Sequence, residues 1–285
     1  MKRKIHVYTF YRFIHLRRIK YLKIKLDKYL INKAIYGTLL IASEGINGTI
    51  SGNKSDLNEF ISFIKKLLKI KKLLIKSSEN QFIPFYRLKI RLKKEIVTIG
   101  DRSIKPEKLS GKNILPKDWD KIINNKKYMI IDTRNEYEIN IGTFKNALNP
   151  NTKSFRDFPK YINRQKIEKD QPIAMYCTGG IRCEKASSYL LKNGYKNVYQ
   201  LDGGILNYLK YNKNKKYSSW NGECFVFDNR VSINKNLKKG TYDQCFGCRH
   251  PITQDDKKLE SYKKGVTCKY CVNNRTKKQT ESQRV

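Results

Sequence analysis

Apolar positions along the chain recur with two different periods, and the switches between them mark its elements. Residues 4–13 carry Val7, Tyr8, Phe10, Tyr11 and Phe13 in an alternating, aromatic-rich run that predicts a strand. From Leu16 to Ala34 the spacing of Ile19, Leu22, Leu26 and Leu30 is helical. "YGTLLIA" (36–42) predicts a second strand, "SEGING" a turn through Gly45, Asn47 and Gly48, and "TISG" a third strand. "SDLNEFISFIKKLLKI" predicts a helix with Ser55 at its N-cap and Glu59 close behind. "KKLLIKSS" and "FYRLKIRLKKEIVTIG" then read as strands, so the order β-α-β-β-α-β predicts a ferredoxin-like (acylphosphatase-like) α+β domain over 1–100.

The pattern changes near Pro106 and "LSGKNILP", which marks 101–114 as a linker. A helix opened by Pro116 follows, then short buried strands "YMIID" (128–132), "PIAMYC" and "NVYQL", with helices from about Arg182 to Asn193 and after Gly203-Gly204. Strands alternating with helices at this spacing predict a parallel α/β sheet over 115–212. Residues 213–275 are Lys/Asn-rich, irregular and rich in cysteine, and 276–285 have no apolar pattern and are expected to be a disordered tail.

Charge adds a partner. The chain has 61 Lys+Arg against 25 Asp+Glu, a formal charge of +36. That field favours a polyanion, most commonly nucleic acid. Lys and Asn are abundant everywhere, loops included, so part of the excess reflects general composition. A more specific feature is "YRLKIRLKKE", where Arg87, Lys89, Arg91 and Lys93 alternate with Leu88, Ile90 and Leu92. On a strand these cations share one face at about 6.6 Å intervals, a ladder able to track phosphates, with Phe85 and Tyr86 available for stacking. Glu44, in the turn "ASEGINGTISG", reads either as a polar contact or as an ordinary turn residue.

All seven cysteines lie in the second half: Cys177, Cys183, Cys224, Cys245, Cys248, Cys268 and Cys271. An odd count with two Cys-x-x-Cys pairs points to a reducing compartment and metal or thiol chemistry rather than a secreted disulfide framework. "CFGC" and "CKYC" have the spacing of a closed four-thiolate site. Structural zinc on Cys245, Cys248, Cys268 and Cys271 is the expected occupant, with a dithiol pair or an iron–sulfur centre as alternatives. His250 is adjacent and reads as a surface contact, and Cys224 as a buried core thiol. No run of apolar residues is long enough to span a membrane and no signal peptide is evident, so a cytoplasmic location is expected. There is no Gly-x-Gly-x-x-Gly nucleotide fingerprint, and His6, His15 and His250 are too dispersed for a two-histidine iron site.

"AMYCTGGIRCEKAS" (174–187) carries the sharpest signal. A strand ending in Cys177, a turn through Thr178, Gly179, Gly180 and Ile181, and a helix carrying Arg182 would aim several backbone N–H groups at one point. Such a nest binds anions and lowers a thiol pKa. Cys183 reads either as a resolving thiol for an oxidised Cys177 or as a small inward-packing side chain.

This loop resembles the active-site loop of rhodanese domains, in which an arginine commonly lies five residues after the catalytic cysteine. A cysteine-based phosphatase places it at plus six, where this chain has Cys183. "IDTRNEYEINIGTFKNALNP" (131–150) is similar to the rhodanese Asp-x-Arg strand end, with Asp132 and Arg134 in the matching places, and "VYQLDGGILNYL" (198–209) to its closing strand and helix. The histidine usual before the Ile-Gly step is absent, and Asn140 and Ile141 occupy that neighbourhood. Together with "EGINGTISG", "RLKIRLKKEIVTIG", "GECFVFDNRV" and "YDQCFGCRHPIT", the chain resembles the bacterial rhodanese-domain tRNA uridine hydroxylases along nearly its whole length. That resemblance implies tRNA as partner and oxygen-dependent conversion of its wobble uridine to 5-hydroxyuridine, with oxygen as co-substrate. It further implies Cys177 as catalytic cysteine, carrying a persulfide by analogy, with Arg182, Asp132 and Arg134 in its site. Two other readings stand beside it: a rhodanese sulfurtransferase carrying a persulfide on Cys177 for tRNA thiolation, and a non-catalytic RNA-binding protein.

Overall fold

The computed structural model describes residues 4–215, 217–274 and 276; the expected disordered tail, 276–285, lies outside the described residues apart from Thr276. The amino-terminal strands are β1 (Ile5–Phe13), β2 (Tyr36–Ala42), β3 (Gly45–Gly52), β4 (Ile75–Asn80) and β5 (Leu88–Leu92), arranged β4-β1-β3-β2-β5. The first four are antiparallel in ferredoxin-like order, and β5 adds a parallel edge strand beside β2. Helices α1 (Ile19–Leu30) and α2 (Lys54–Leu68) cover one face, packing Leu22, Leu26, Leu57, Phe60 and Ile64 against Phe10, Leu39 and Ile50. Asn53, not Ser55, caps α2: its side chain accepts from the Asp56 N–H at 2.9 Å. The β5 strand is also shorter than the cation pattern implies. Lys93 still donates its N–H to the Ile41 carbonyl; beyond it the chain leaves the sheet, and Glu95 turns it by accepting from the N–H groups of Ile99 and Gly100.

The second unit is a parallel sheet in the order β6-β10-β9-β7, from β6 (Lys112–Ile114), β7 (Met129–Asp132), β9 (Ile173–Tyr176) and β10 (Val198–Leu201). β6 falls inside the stretch expected as linker, so the linker ends before Lys112: the Gly111 N–H donates to Ser187 Oγ and β6 completes the sheet. Helices α3 (Pro116–Ile123), α4 (Glu136–Ile139), α5 (Phe158–Arg164), α6 (Ile181–Lys192) and α7 (Gly204–Asn212) surround it. β8 (Gly142–Phe144) pairs with β11 (Trp220–Gly222), which brings the cysteine-rich segment against this unit.

The bare face of the amino-terminal sheet turns towards α6. There Lys185, fully buried, donates to both carboxylate oxygens of Glu44 (2.8 and 2.7 Å), to Glu95 (2.6 Å) and to the Val97 carbonyl (2.9 Å). Glu44 also accepts from the Ile96 N–H. The turn residue of the sequence pattern is therefore an anchor between units. Removing one partner of a buried ion pair strands the others without water, at a cost of about 3–5 kcal/mol. Lys185→Ala should lower stability by roughly that amount, read from the midpoint of chemical denaturation; a variant within about 0.5 kcal/mol of the parent, as for an ordinary surface substitution, contradicts this role.

Candidate active site

Cys177 follows the last residue of β9, and the chain turns into α6 through Gly180, whose φ of +99° is open to glycine at little cost. A Cβ on Gly180 would also stand 2.9 Å from the Tyr11 hydroxyl. Gly179 meets no such restriction; a Cβ there points into open space. The curl aims the Gly180 N–H at the Cys177 sulfur, 3.0 Å away. Burial by itself pushes the Cys177 thiol up, but it is outweighed by the Cys183 thiol, the Arg182 guanidinium and the N–H groups of Cys183 and Gly180. The net pKa is about 5, so Cys177 is a thiolate at neutral pH. Cys183 is pushed well above its ordinary value, first by burial and then by its hydrogen bond to Cys177. It therefore remains a thiol and serves as a donor, with the Thr133 hydroxyl 3.5 Å from its sulfur.

Arg182 is held by a residue that the sequence pattern did not mark. Glu138, fully buried in α4, accepts from both guanidinium ends at 2.5 and 2.8 Å. Asn135 and Glu138 close a capping box, which fixes that carboxylate. Arg182 acts on Cys177 as a fixed nearby charge.

Asp132 and Arg134 take a different place from the one the resemblance implies. Both are fully buried and paired to each other at 2.6 Å, and Arg134 donates to the carbonyls of Glu138 and Gly142. This clasp fastens β7 to α4 and β8 and stays clear of the cavity.

The loop opens into a cavity of about 550 Å³ whose far wall is the bare face of the amino-terminal sheet, including Tyr11, Thr49 and Lys76. Lys76 donates to the Gly179 carbonyl at 2.5 Å, lies 5.1 Å from the Tyr11 ring centroid, and has its pKa lowered by burial. Tyr11 in turn donates to Glu184 at 2.7 Å. Lys76 carries no signal in a lysine-rich sequence; only the pairing of Thr9 with Lys76 across β1 and β4 brings it here. The cation ladder flanks the same cavity. β5 pairs Lys89 with Thr38 and Arg91 with Leu40, and those two β2 residues line the cavity. Arg87, Arg91 and Lys93 are exposed and Lys89 is half-buried; Phe85 lines the cavity and Tyr86 is exposed.

Cys245, Cys248, Cys268 and Cys271 converge, with their sulfurs all within 4.8 Å of one another and close pairs at 3.6 and 4.0 Å. A tetrahedral shell with bonds of about 2.3 Å places sulfurs about 3.8 Å apart, so the four residues fit one metal ion. His250 lies outside this set, stacked on Tyr270 with centroids 5.0 Å apart. Cys224 is a core thiol, raised to about 12 by burial.

These features match known proteins along the chain. Residues 5–96 match the UPF0176 acylphosphatase-like domain and 115–211 the rhodanese-like domain. A curated protein of Pelagibacter ubique (strain HTCC1062), "tRNA uridine(34) hydroxylase", is 51% identical over 276 residues, covering 96% of this chain and 90% of its own. The chain belongs to the tRNA uridine(34) hydroxylase family. Solved structures are similar to about a third of the chain. A rhodanese-related protein of Thermoplasma volcanium is 25% identical, covering 35% of this chain and 92% of its own, with TM-score 0.29. A rhodanese-like domain protein of Staphylococcus aureus is 26% identical, covering 34% and 90%, with TM-score 0.30.

In this member of the family the reactivity of Cys177 rests on neutral donors and the charge of Arg182, with the Lys76 ammonium also in electrostatic reach. The rate of Cys177 alkylation by iodoacetamide should rise with pH through a midpoint near about 5. Cys183→Ala, by removing a donor to the thiolate, should move that midpoint up. An unchanged midpoint in Cys183→Ala assigns Cys183 to packing alone.

Proposed function

We propose that this protein hydroxylates the wobble uridine of tRNA at C5, with oxygen as co-substrate and Cys177 as the catalytic nucleophile. The observation that carries the reading is the thiolate of Cys177 at the floor of a cavity wide enough for a pyrimidine nucleotide, in a chain 51% identical to a tRNA uridine(34) hydroxylase. A thiolate there can add to the uracil C6 and raise electron density at C5, which attacks oxygen. Two electrons from an external reductant take the second oxygen atom to water, and loss of the C5 proton with expulsion of the Cys177 thiolate restores the ring. Lys76 and Tyr11 stand at the same cavity and can orient the base. The ladder of Arg87, Lys89, Arg91 and Lys93 is the phosphate-binding edge, beside the cavity on a shared sheet face. Nothing in this reading requires a membrane: no helix among the described residues is long and apolar enough to cross one. The cytoplasm, where tRNA is found, is its place of action.

Mass spectrometry of tRNA nucleosides tests the reaction. A strain carrying Cys177→Ala as its sole copy should lose 5-hydroxyuridine and its derivatives. Loss of a thiolated nucleoside instead, with 5-hydroxyuridine intact, would establish the sulfurtransferase reading.

The four-cysteine site is proposed to hold structural zinc. Four thiolates close the coordination shell, leaving no position for substrate, and the polar segment around them gains its folding energy from the metal. Metal analysis should find about one zinc per chain, and Cys268→Ser should lose most of it while Cys177→Ala retains it.

A further inference from the structure

Phe246 and Arg249 sit on the first metal-binding turn, far in sequence from both the cysteine loop and the cation ladder. Phe246 leaves 47% of its surface exposed. The Arg249 guanidinium lies 5.5 Å from its ring centroid and binds only the neutral Gln244 side chain, at 3.2 Å; among the described residues no carboxylate is within ion-pair reach. An exposed ring beside an unneutralised guanidinium is the pairing that stacks a base and contacts its phosphate.

Two contacts fix this turn relative to the cavity. A chain of aromatic rings runs from the cavity lip through Phe227, Phe225, Tyr137, His250 and Tyr270, with successive centroids 5.1, 5.2, 5.3 and 5.0 Å apart. His250 directly follows Arg249, and Phe227, 61% exposed, lies 5.9 Å from the Arg182 guanidinium carbon. On the other side, the Asn229 N–H donates to the Pro84 carbonyl at 2.9 Å, tying this segment to the loop that leads into β5. Arg249 is close enough to Lys89 for its charge to help lower the lysine's pKa, after the larger effects of Arg87, burial and Arg91. The turn thus adjoins the cavity lip through packed rings, and its Arg249 lies near the ladder.

We propose that the turn carrying Phe246 and Arg249 is a second RNA contact, which stacks an unpaired base of the anticodon loop and binds its phosphate while the target uridine occupies the cavity at Cys177. The proposal rests on the tRNA reading above and adds to it a role for the metal-binding segment in recognition. Four thiolates closed around a metal contribute nothing to a substrate directly; they hold this turn at a fixed distance from Cys177.

Fluorescence anisotropy with a synthetic anticodon stem-loop, in the full-length metal-loaded protein at several salt concentrations, tests the proposal. Phe246→Ala should weaken binding by about 10-fold, within the range for loss of one stacked base, with little change in salt dependence. Phe246→Trp should restore it. Arg249→Gln should weaken binding and reduce the slope of log affinity against log salt by about one. Neither substitution should alter metal content or the Cys177 alkylation rate, which shows that the fold is retained. A double variant, Arg87→Gln with Arg91→Gln, separates the two levels of the argument. If it binds weakly while both turn variants bind like the parent, the second contact is overturned. If it too binds like the parent, the RNA-binding edge itself fails and the second contact falls with it.

Discussion

One buried ammonium group holds the site together. Lys185 of α6 is buried between Glu44 of the β2–β3 turn and Glu95 beyond β5. Two carboxylates against one cation would repel each other in an apolar interior. Here the excess negative charge is spread over the backbone N–H groups of Ile96, Ile99 and Gly100. Fixing α6 fixes the loop that starts it. The same contact presents the bare face of the amino-terminal sheet to Cys177, so neither unit encloses the cavity by itself.

At the cysteine, the arrangement favours a stabilised anion on sulfur. The thiolate is held by N–H groups, by a neutral thiol and by the charge of Arg182, whose own hydrogen bonds are taken up by Glu138. Glu138 takes one donor from each terminal nitrogen, which fixes the guanidinium five residues after Cys177. The loop is thus suited to a small adduct or a nucleophilic sulfur. In the proposed function, selectivity for a large polyanion comes from the strand edge and the four-cysteine segment.

Electrostatic meaning in this chain is local. A formal charge of +36 says only that polyanions are attracted. Which cations matter depends on register: because β5 runs parallel to β2, Lys89 and Arg91 stand beside residues lining the cavity, and the apolar alternates Leu88, Ile90 and Leu92 pack under the helices. A slip of one residue would exchange the two sets.

Features governed by near neighbours were legible in the sequence. Period set the strands and helices, the strand–Cys–Gly–Gly–Arg order marked Cys177 and its anion-stabilising turn, and two Cys-x-x-Cys pairs marked a metal site, because each depends on residues within a few positions or on one recurrent spacing. The functional contacts it left open join distant parts of the chain. Lys185 and Glu44 are 141 positions apart, Lys76 and Gly179 are 103, and Arg182 and Glu138 are 44. No periodicity encodes such pairs, and Lys76 is one of many lysines until β4 pairs with β1. Asp132 and Arg134 show the converse: the motif was visible, but only packing revealed that its charges are spent on each other. Sequence determined the chemistry of the cysteine loop; tertiary structure decided what faces it, because burial and charge pairing are properties of the assembled chain.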